Sequence, residues 1–289
     1  MPGHSGILYV VATPIGNLAD LSARARRVLG EVSAIAAEDT RTTHQLLNHL
    51  GIATELIAYH EHNESAMMPR LLARLAAGED LALVAEAGTP LISDPGYQLV
   101  AAARAQAIRV VPIPGANAAI CALSAAGLPS DRFLFLGFPP RTQSRRRTWI
   151  EGVANEPGTL ILYESPHRIL ETLADLRMVL GDGRRIVLAR ELTKRFETFL
   201  SGSASELIAQ LEVDADQRRG ELVILVEGCP SADLQGLSPE VQRTLRILAD
   251  AFPLSQAAAL TARLTGVRKS DLYRFGLELG FGASQAEAP

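Results

Sequence analysis

Four short stretches set glycine, proline and small polar or charged side chains directly after apolar runs. They are Thr13-Pro14-Ile15-Gly16-Asn17, Glu38-Asp39-Thr40-Arg41, the turn-rich Glu86 to Gly96, and Pro114-Gly115-Ala116-Asn117-Ala118. Small residues let a backbone approach a ligand closely. Any one such stretch reads as a plain turn. Four of them leaving the strands of one sheet point to a binding cleft. No GxGxxG follows the first apolar run and GxxxxGK[ST] is absent, so neither a dinucleotide nor a P-loop nucleotide is supported. His60, Glu61, His62 and Glu64 would share a face only if a strand ran through them. Without an HExxH they read as a polar loop, and no metal is expected. Cys121 and Cys229 stand far apart and away from histidines, so they read as small buried hydrophobes, not as a disulfide or zinc pair.

The elements that must position these loops alternate. Ile7 to Ala12 reads as a strand, and Leu21, Ala25, Val28, Leu29 and Val32 fall at helical spacing behind Asp20, an expected N-cap. Val32 to Ala37, Glu55 to Tyr59, Leu81 to Ala85 and Ile108 to Ile113 read as further strands. Helices stop at Gly51 and Gly78, where a left-handed residue is favoured. Strand–helix alternation predicts βαβ crossovers and a mostly parallel sheet, with ligands bound beyond the carboxyl ends of its strands. The Pro114 to Ala118 turn opens an alanine-rich helix ending near Gly127. Around Pro129 the pattern changes to mixed α/β, with strands expected at 133–136, 159–163, 185–190, 196–201 and 221–227. A short helical segment follows, with Ser255 to Leu260 and Ser270 to Tyr273 around Gly266 resembling a helix-turn-helix pair. The expected division is 1–128, 129–230 and 236–280.

With 289 residues, 47% of them hydrophobic and 21% charged, the chain can bury ordinary cores. The start, Met1 to Ser5, lacks a leader pattern and no apolar run nears a bilayer span, so a soluble cytoplasmic protein is expected. A net charge of −4 argues against non-specific coating of nucleic acid but leaves local basic patches free to act.

Longer motifs make the reading specific. Ala12 to Leu18, Ala37 to Arg41, Glu86 to Gly96, Tyr163-Glu164-Ser165-Pro166-His167-Arg168, Arg190 to Lys194 and Gly220 to Val223 resemble the signatures of the ribosomal RNA small subunit methyltransferase I family, within the tetrapyrrole methylase-like superfamily. The resemblance covers about residues 7–228 closely and the helical tail loosely. It implies two α/β domains of tetrapyrrole methylase type with the cofactor cleft between them, plus the C-terminal helices. It further implies transfer of a methyl group from S-adenosylmethionine to the 2′-oxygen of a cytidine ribose in 16S ribosomal RNA of the small subunit, by a homodimer.

By position in those motifs, Pro14, Ile15, Gly88, Thr89, Ile92, Ser93, Asn117, Ala118 and Tyr163 are implied to line the cofactor. Glu86 stands where Asp is commoner in the family, and Ala116 where Pro is commoner. A ribose hydroxyl is a weak nucleophile, helped by a general base or a nearby cation. Glu38, Asp39, Arg41, Glu191 and Lys194 are the candidates, with Asp39 equally readable as a helix cap and the base left open. RNA phosphates call for Lys and Arg. Arg145, Arg146 and Arg147, read as a loop beside Pro139-Pro140, form the first expected patch. Arg168 is a further candidate, and Arg263, Arg268, Lys269 and Arg274 in the tail form the second patch. The alternatives are a tetrapyrrole-like small-molecule methylase and a non-catalytic ribosome-assembly protein on the same scaffold.

Overall fold

The computed structural model describes residues 5–229, 237–279 and 281. Residues 1–4, read above for a leader, and the expected segment ends at 230, 236 and 280 lie outside the described residues. The chain divides into two compact units, 1–228 and 229–289.

The first unit contains two five-stranded sheets. In the first, β1 (Ile7–Val11), β2 (Ala34–Ala37), β3 (Glu55–Ala58), β4 (Leu81–Val84) and β5 (Arg109–Ile113) lie in the order β3-β2-β4-β1-β5. Every pairing in it is parallel, as the alternation predicts. Five helices follow its strands in turn: α1 (Ala23–Glu31), α2 (Thr40–Leu50), α3 (Glu64–Ala76), α4 (Tyr97–Ala105) and α5 (Ala118–Ala126). β4 is apolar throughout because both faces are covered. Leu81 and Leu83 meet Leu71, Leu75 and Leu99 on one side, while Ala82 and Val84 meet Val28, Leu29 and Leu47 on the other.

The second sheet runs β6 (Phe133–Gly137), β7 (Thr159–Glu164), β10 (Leu222–Val226), β8 (Ile186–Arg190) and β9 (Thr198–Gly202). Only the β6–β7 pair is parallel. Along β10, period-two alternation sends Leu222, Ile224 and Val226 toward α7 (Ile169–Leu180) and α8 (Ala204–Val213), with α6 (Gln143–Glu151) on that same side. Val223 and Leu225 point the other way, onto Ala119, Ala122, Leu123 and Ala126 of α5. The helix that leaves the first sheet therefore covers a face of the second, and this brings the two sets of strand-end loops together.

The second unit holds α9 (Pro239–Ala251), α10 (Leu254–Thr265) and α11 (Lys269–Glu278) around Leu237, Leu245, Ala257, Ala258 and Leu272. The turn between α10 and α11 uses Gly266 at φ 74°, in the left-handed region. No helix among the described residues is long and apolar enough to cross a membrane.

Three local expectations are corrected. Asp20 does not cap α1; Ser22 does, its hydroxyl accepting from the Ala25 amide, while Asn17 caps the 3-10 turn Leu18–Asp20. The Arg145 to Arg147 run lies on α6, not in a loop. Cys121 is half-buried, not fully buried, and both cysteines are free.

Candidate active-site cleft

The loops at the carboxyl ends of the first sheet are tied to one another by their backbones. The Thr13 amide donates to the Gly88 carbonyl at 2.9 Å and the Gly88 amide to the Thr13 carbonyl at 3.1 Å. Thr89 Oγ1 donates to the Ala116 carbonyl at 2.9 Å. Gly88 sits at φ +81°, in the left-handed region that favours glycine, and a Cβ there would press on Ile15 Cγ2 at 3.1 Å. Asn117 caps α5 through its side chain, which accepts from the Ile120 amide at 3.1 Å.

Residues 86–96 and 191–193 carry unusual backbone strain. Leu91 (φ 72°), Ser93 (φ 70°), Glu191 (φ 51°) and Thr193 (φ 65°) all adopt the left-handed region without being glycine. Such residues cost of order 1–3 kcal/mol each and cluster where function holds them.

Between these loops and those of the second sheet lies a cavity of about 560 Å³. Its walls include Pro14, Ile15, Gly88, Thr89, Ile92, Ser93, Asn117, Ala118, Tyr163 and Lys194, all singled out from sequence. Glu86, Asp94, Phe138, Glu164 and Glu221 line it too, and the sequence reading assigned none of these a role. Asp94 lies within Ile92-Ser93-Asp94-Pro95, and no local signal in the sequence tells that Glu38 and Glu86 face it. Tyr163 is fixed at both ends of its side chain. Its hydroxyl accepts from the Ala119 amide at 3.2 Å, and its ring meets Phe135 and Phe138 edge-on at 5.0 and 5.5 Å.

The other catalytic candidates sit around this cavity in different states. Glu38 accepts from the Glu86 amide at 3.3 Å, and burial raises its pKa. Asp94, half-buried and facing Glu38 and Glu86, has its carboxyl pushed up to about 7, chiefly by desolvation and then by those two negative neighbours. Asp39 is the N-cap of α2, accepting from the Arg41 and Thr42 amides and pairing with the Arg41 guanidinium at 2.8 Å. Those bonds hold its carboxyl down at about 2, so of its two readings the cap is the one the geometry displays. Arg41 lines a separate surface depression with Thr40, His44, Gln45, Leu56 and Ala58. Lys194 pairs with Glu191 at 2.9 Å and Glu221 at 3.3 Å, and its stem packs over Gly16, where a Cβ would stand 2.5 Å from Lys194 Cγ. Burial opposes ionisation of both Glu191 and Lys194. Their mutual bond, with the Glu221 amide on Glu191 and the Glu221 carboxylate beside Lys194, outweighs it, lowering the Glu191 pKa and raising that of Lys194. Arg190 adds a weaker pull on Glu191 from a distance, while its guanidinium donates to the Arg219 and Phe196 carbonyls.

The expected basic patches separate sharply. Arg145 is exposed. Arg146 is wholly buried, donating to Asp175 at 2.7 Å and Glu171 at 3.2 Å, and Arg147 pairs with the other Asp175 oxygen at 2.6 Å. A contact between Arg146 and RNA phosphate is therefore ruled out in this fold: helical spacing turns neighbouring side chains about 100° apart, and the middle one faces α7. Arg168 is bound internally as well, to Glu164 at 2.7 Å and the Pro139 carbonyl at 3.1 Å. Arg268 and Lys269 are exposed, Arg268 pairing with Asp271 at 3.0 Å. Among the described residues no group of His, Cys, Asp and Glu has the arrangement of a metal site. Glu64 instead accepts from the buried Tyr59 hydroxyl at 2.7 Å.

A parallel sheet and a mixed, mainly antiparallel one meet at an acid-lined cleft and share α5 between them, and the comparisons make this a methylase architecture. A family model described as Tetrapyrrole (Corrin/Porphyrin) Methylases matches residues 7–208, and one described as RsmI C-terminal HTH domain matches 235–280. Diphthine synthase superposes with a TM-score of 0.60 at 14% identity, covering 77% of this chain and 90% of that one. Uroporphyrin-III-C-methyltransferase from Thermus thermophilus does so at 0.53 and 21% identity, covering 77% and 94%. At these identities the likeness shows the fold.

The Ribosomal RNA small subunit methyltransferase I of Pseudomonas aeruginosa is 54% identical over 95% of this chain and 98% of its own length. That of Halalkalibacterium halodurans is 46% identical over 93% of each. The chain belongs to the ribosomal RNA small subunit methyltransferase I family.

Proposed function

We propose that this methyltransferase moves a methyl group from S-adenosylmethionine to the 2′-hydroxyl of a cytidine ribose in the 16S RNA of the small ribosomal subunit. The observation that carries the reading is the cleft itself. Its parallel-sheet wall presents Glu86 and Asp94, backed by Glu38, with no cationic side chain paired to them among the described residues. Such a wall suits a ligand that carries a sulfonium and an ammonium, which would satisfy the clustered carboxylates. The glycine cradle at Gly88 and the capped start of α5 leave room for an uncharged purine and ribose beside them.

S-adenosylmethionine, when bound, supplies the electrophilic methyl group. The protein's share is to position the ribose oxygen in line behind that carbon and to manage one proton. The hydroxyl's proton leaves as the new C–O bond forms and the C–S bond breaks. Asp94 is the carboxyl suited to receive it, because a proton acceptor works best with a pKa near the working pH. Asp39, held at about 2 as a helix cap, is a poor acceptor. The Lys194 ammonium lines the cleft from the second sheet and favours negative charge growing on the ribose oxygen. Arg145 and, in the tail, Arg263, Arg268, Lys269 and Arg274 are exposed cations suited to RNA phosphates. The enzyme is expected to work in the cytoplasm as a homodimer, which light scattering on the purified chain checks.

The test is transfer of labelled methyl from S-adenosylmethionine to purified small subunits that lack the modification, followed by nuclease mapping. Label in a 2′-O-methylcytidine of 16S RNA is the expected result. Label in a base, in another RNA, or only in a tetrapyrrole would sink the proposal.

A further inference from the structure

Phe138 is anomalous among the residues of the cleft. It is a large apolar ring, 56% exposed, yet it belongs to the wall of a cavity. Burial cannot explain it, since an exposed ring gains little from its own fold.

The chain spends four separate restraints on holding it there. The β6–β7 pairing slips between Phe135 and Gly137, a bulge of the kind that re-aims a side chain beside a site. Gly137 then takes φ +67°, and a side chain at that position would crowd Ser93 Oγ at 3.1 Å. Pro139 and Pro140 follow; a residue before proline is confined to extended backbone. Finally the Pro139 carbonyl accepts from Arg168 at 3.1 Å, while Arg168 is itself anchored on the buried Glu164 carboxylate at 2.7 Å. Glu164 also accepts from the Ser165 amide at 2.7 Å and the Thr172 hydroxyl at 2.5 Å.

The ring so held stands edge-on to Tyr163 at 5.5 Å with 63° between planes. Tyr163 is the inner ring, half-buried and bonded to α5; Phe138 is the outer one. Edge-on packing uses the rim of one ring and leaves a π-face open. Proteins that act on unstacked nucleotides offer such faces to the bases.

We infer that Phe138 is a stacking platform for the nucleobase of the RNA nucleotide entering the cleft, and that Arg168, through Glu164 and the Pro139 carbonyl, is the positioning residue that presents it. The inference rests on the proposed RNA substrate. The cofactor's adenine has the same flat chemistry, and the outward exposure of the ring favours the RNA base over it.

The experiment compares the full-length wild-type enzyme with Phe138→Ala, Phe138→Leu and Phe138→Trp. It reads KM for unmodified small subunits, kcat, and Kd for S-adenosylmethionine by titration. Ala and Leu are expected to raise KM for subunits roughly tenfold to a hundredfold. Trp should stay within a few-fold of wild type, and cofactor Kd should not move. Arg168→Ala should reproduce the KM effect, with Arg168→Lys recovering part of it. A Kd for cofactor that rises with every truncation, or a Leu variant as good as wild type, overturns the assignment. Thermal melting of each variant shows that it folds, because the ring is exposed. Should wild type methylate no RNA at all, the proposed function fails and this assignment falls with it, an outcome distinct from an active wild type whose Leu variant is unimpaired.

Discussion

The two walls of the cleft are both rich in carboxylates, and they treat them oppositely. On the second-sheet wall every acid has a cation: Glu164 has Arg168, and Glu191 and Glu221 share Lys194. On the parallel-sheet wall Glu38, Glu86 and Asp94 face one another, and none has an ion-pair partner among the described residues. Paired acids hold loops in place. Unpaired acids keep an unfavourable charge balance that a cationic ligand or a proton relieves, and this is how a fold reserves groups for chemistry at a cost to itself.

The contrast can be attacked first where pairing is tightest. Asp175→Ala leaves the buried Arg146 guanidinium with only an exposed glutamate and a backbone carbonyl, and should cost about 3–5 kcal/mol in urea unfolding. A loss below about 1 kcal/mol would mean the pair is not structural. Asp94→Asn should act in the opposite direction on stability. Its folded pKa of about 7 lies above the ordinary aspartate value of 3.8, so the folded state binds the extra proton. Stability contributed by that proton is present at low pH and is lost as pH rises from about 4 through about 7. The asparagine variant escapes the loss and should gain about 1–2 kcal/mol at pH 8, after discounting for the group's partial exposure. It should also lose about a hundredfold in kcat. A variant that is no more stable, or fully active, breaks the comparison.

A subtler test uses pH alone. With Asp94 as proton acceptor, kcat/KM should fall below about pH 7, and the falling limb should vanish in Asp94→Asn. A limb that persists in the variant belongs to another group. The smallest effect separates surface from interior. Arg145→Ala should leave stability within about 0.5 kcal/mol and reduce the salt slope of RNA binding by about 1. If stability drops as far as in Asp175→Ala, the whole α6 run is structural.

Much of the first sheet is legible from sequence because it is written in local terms. Apolar runs such as Leu81 to Ala85, and helices ended by Gly51 and Gly78, carry their own start and stop signals. The cleft loops are legible through their motifs. What escapes is whatever depends on a partner distant along the chain. Arg146 looks like solvated charge until Asp175 on another helix is found beside it. Arg168 looks like a phosphate contact until Glu164 is seen below it. Asp94 acquires its character from burial first and then from Glu86 and Glu38, the latter arriving behind a different strand. Charge in a one-dimensional string carries no sign of whether it is spent internally.

The helix α5 has a consequence for the birth of the protein. It is apolar on nearly every side, its residues Ala118–Ala126 are made with the first half of the chain, and its partners on β8 and β10 end at Val226. At elongation rates of about 5–20 residues per second, roughly a hundred residues take about 5–20 seconds to follow it. For that interval the nascent chain displays a greasy segment whose partners on β8 and β10 are not all made, a natural stop for a holding chaperone at the exit tunnel. A ribosome stalled between residues 130 and 220 should therefore carry more chaperone than one stalled just past the end of β10.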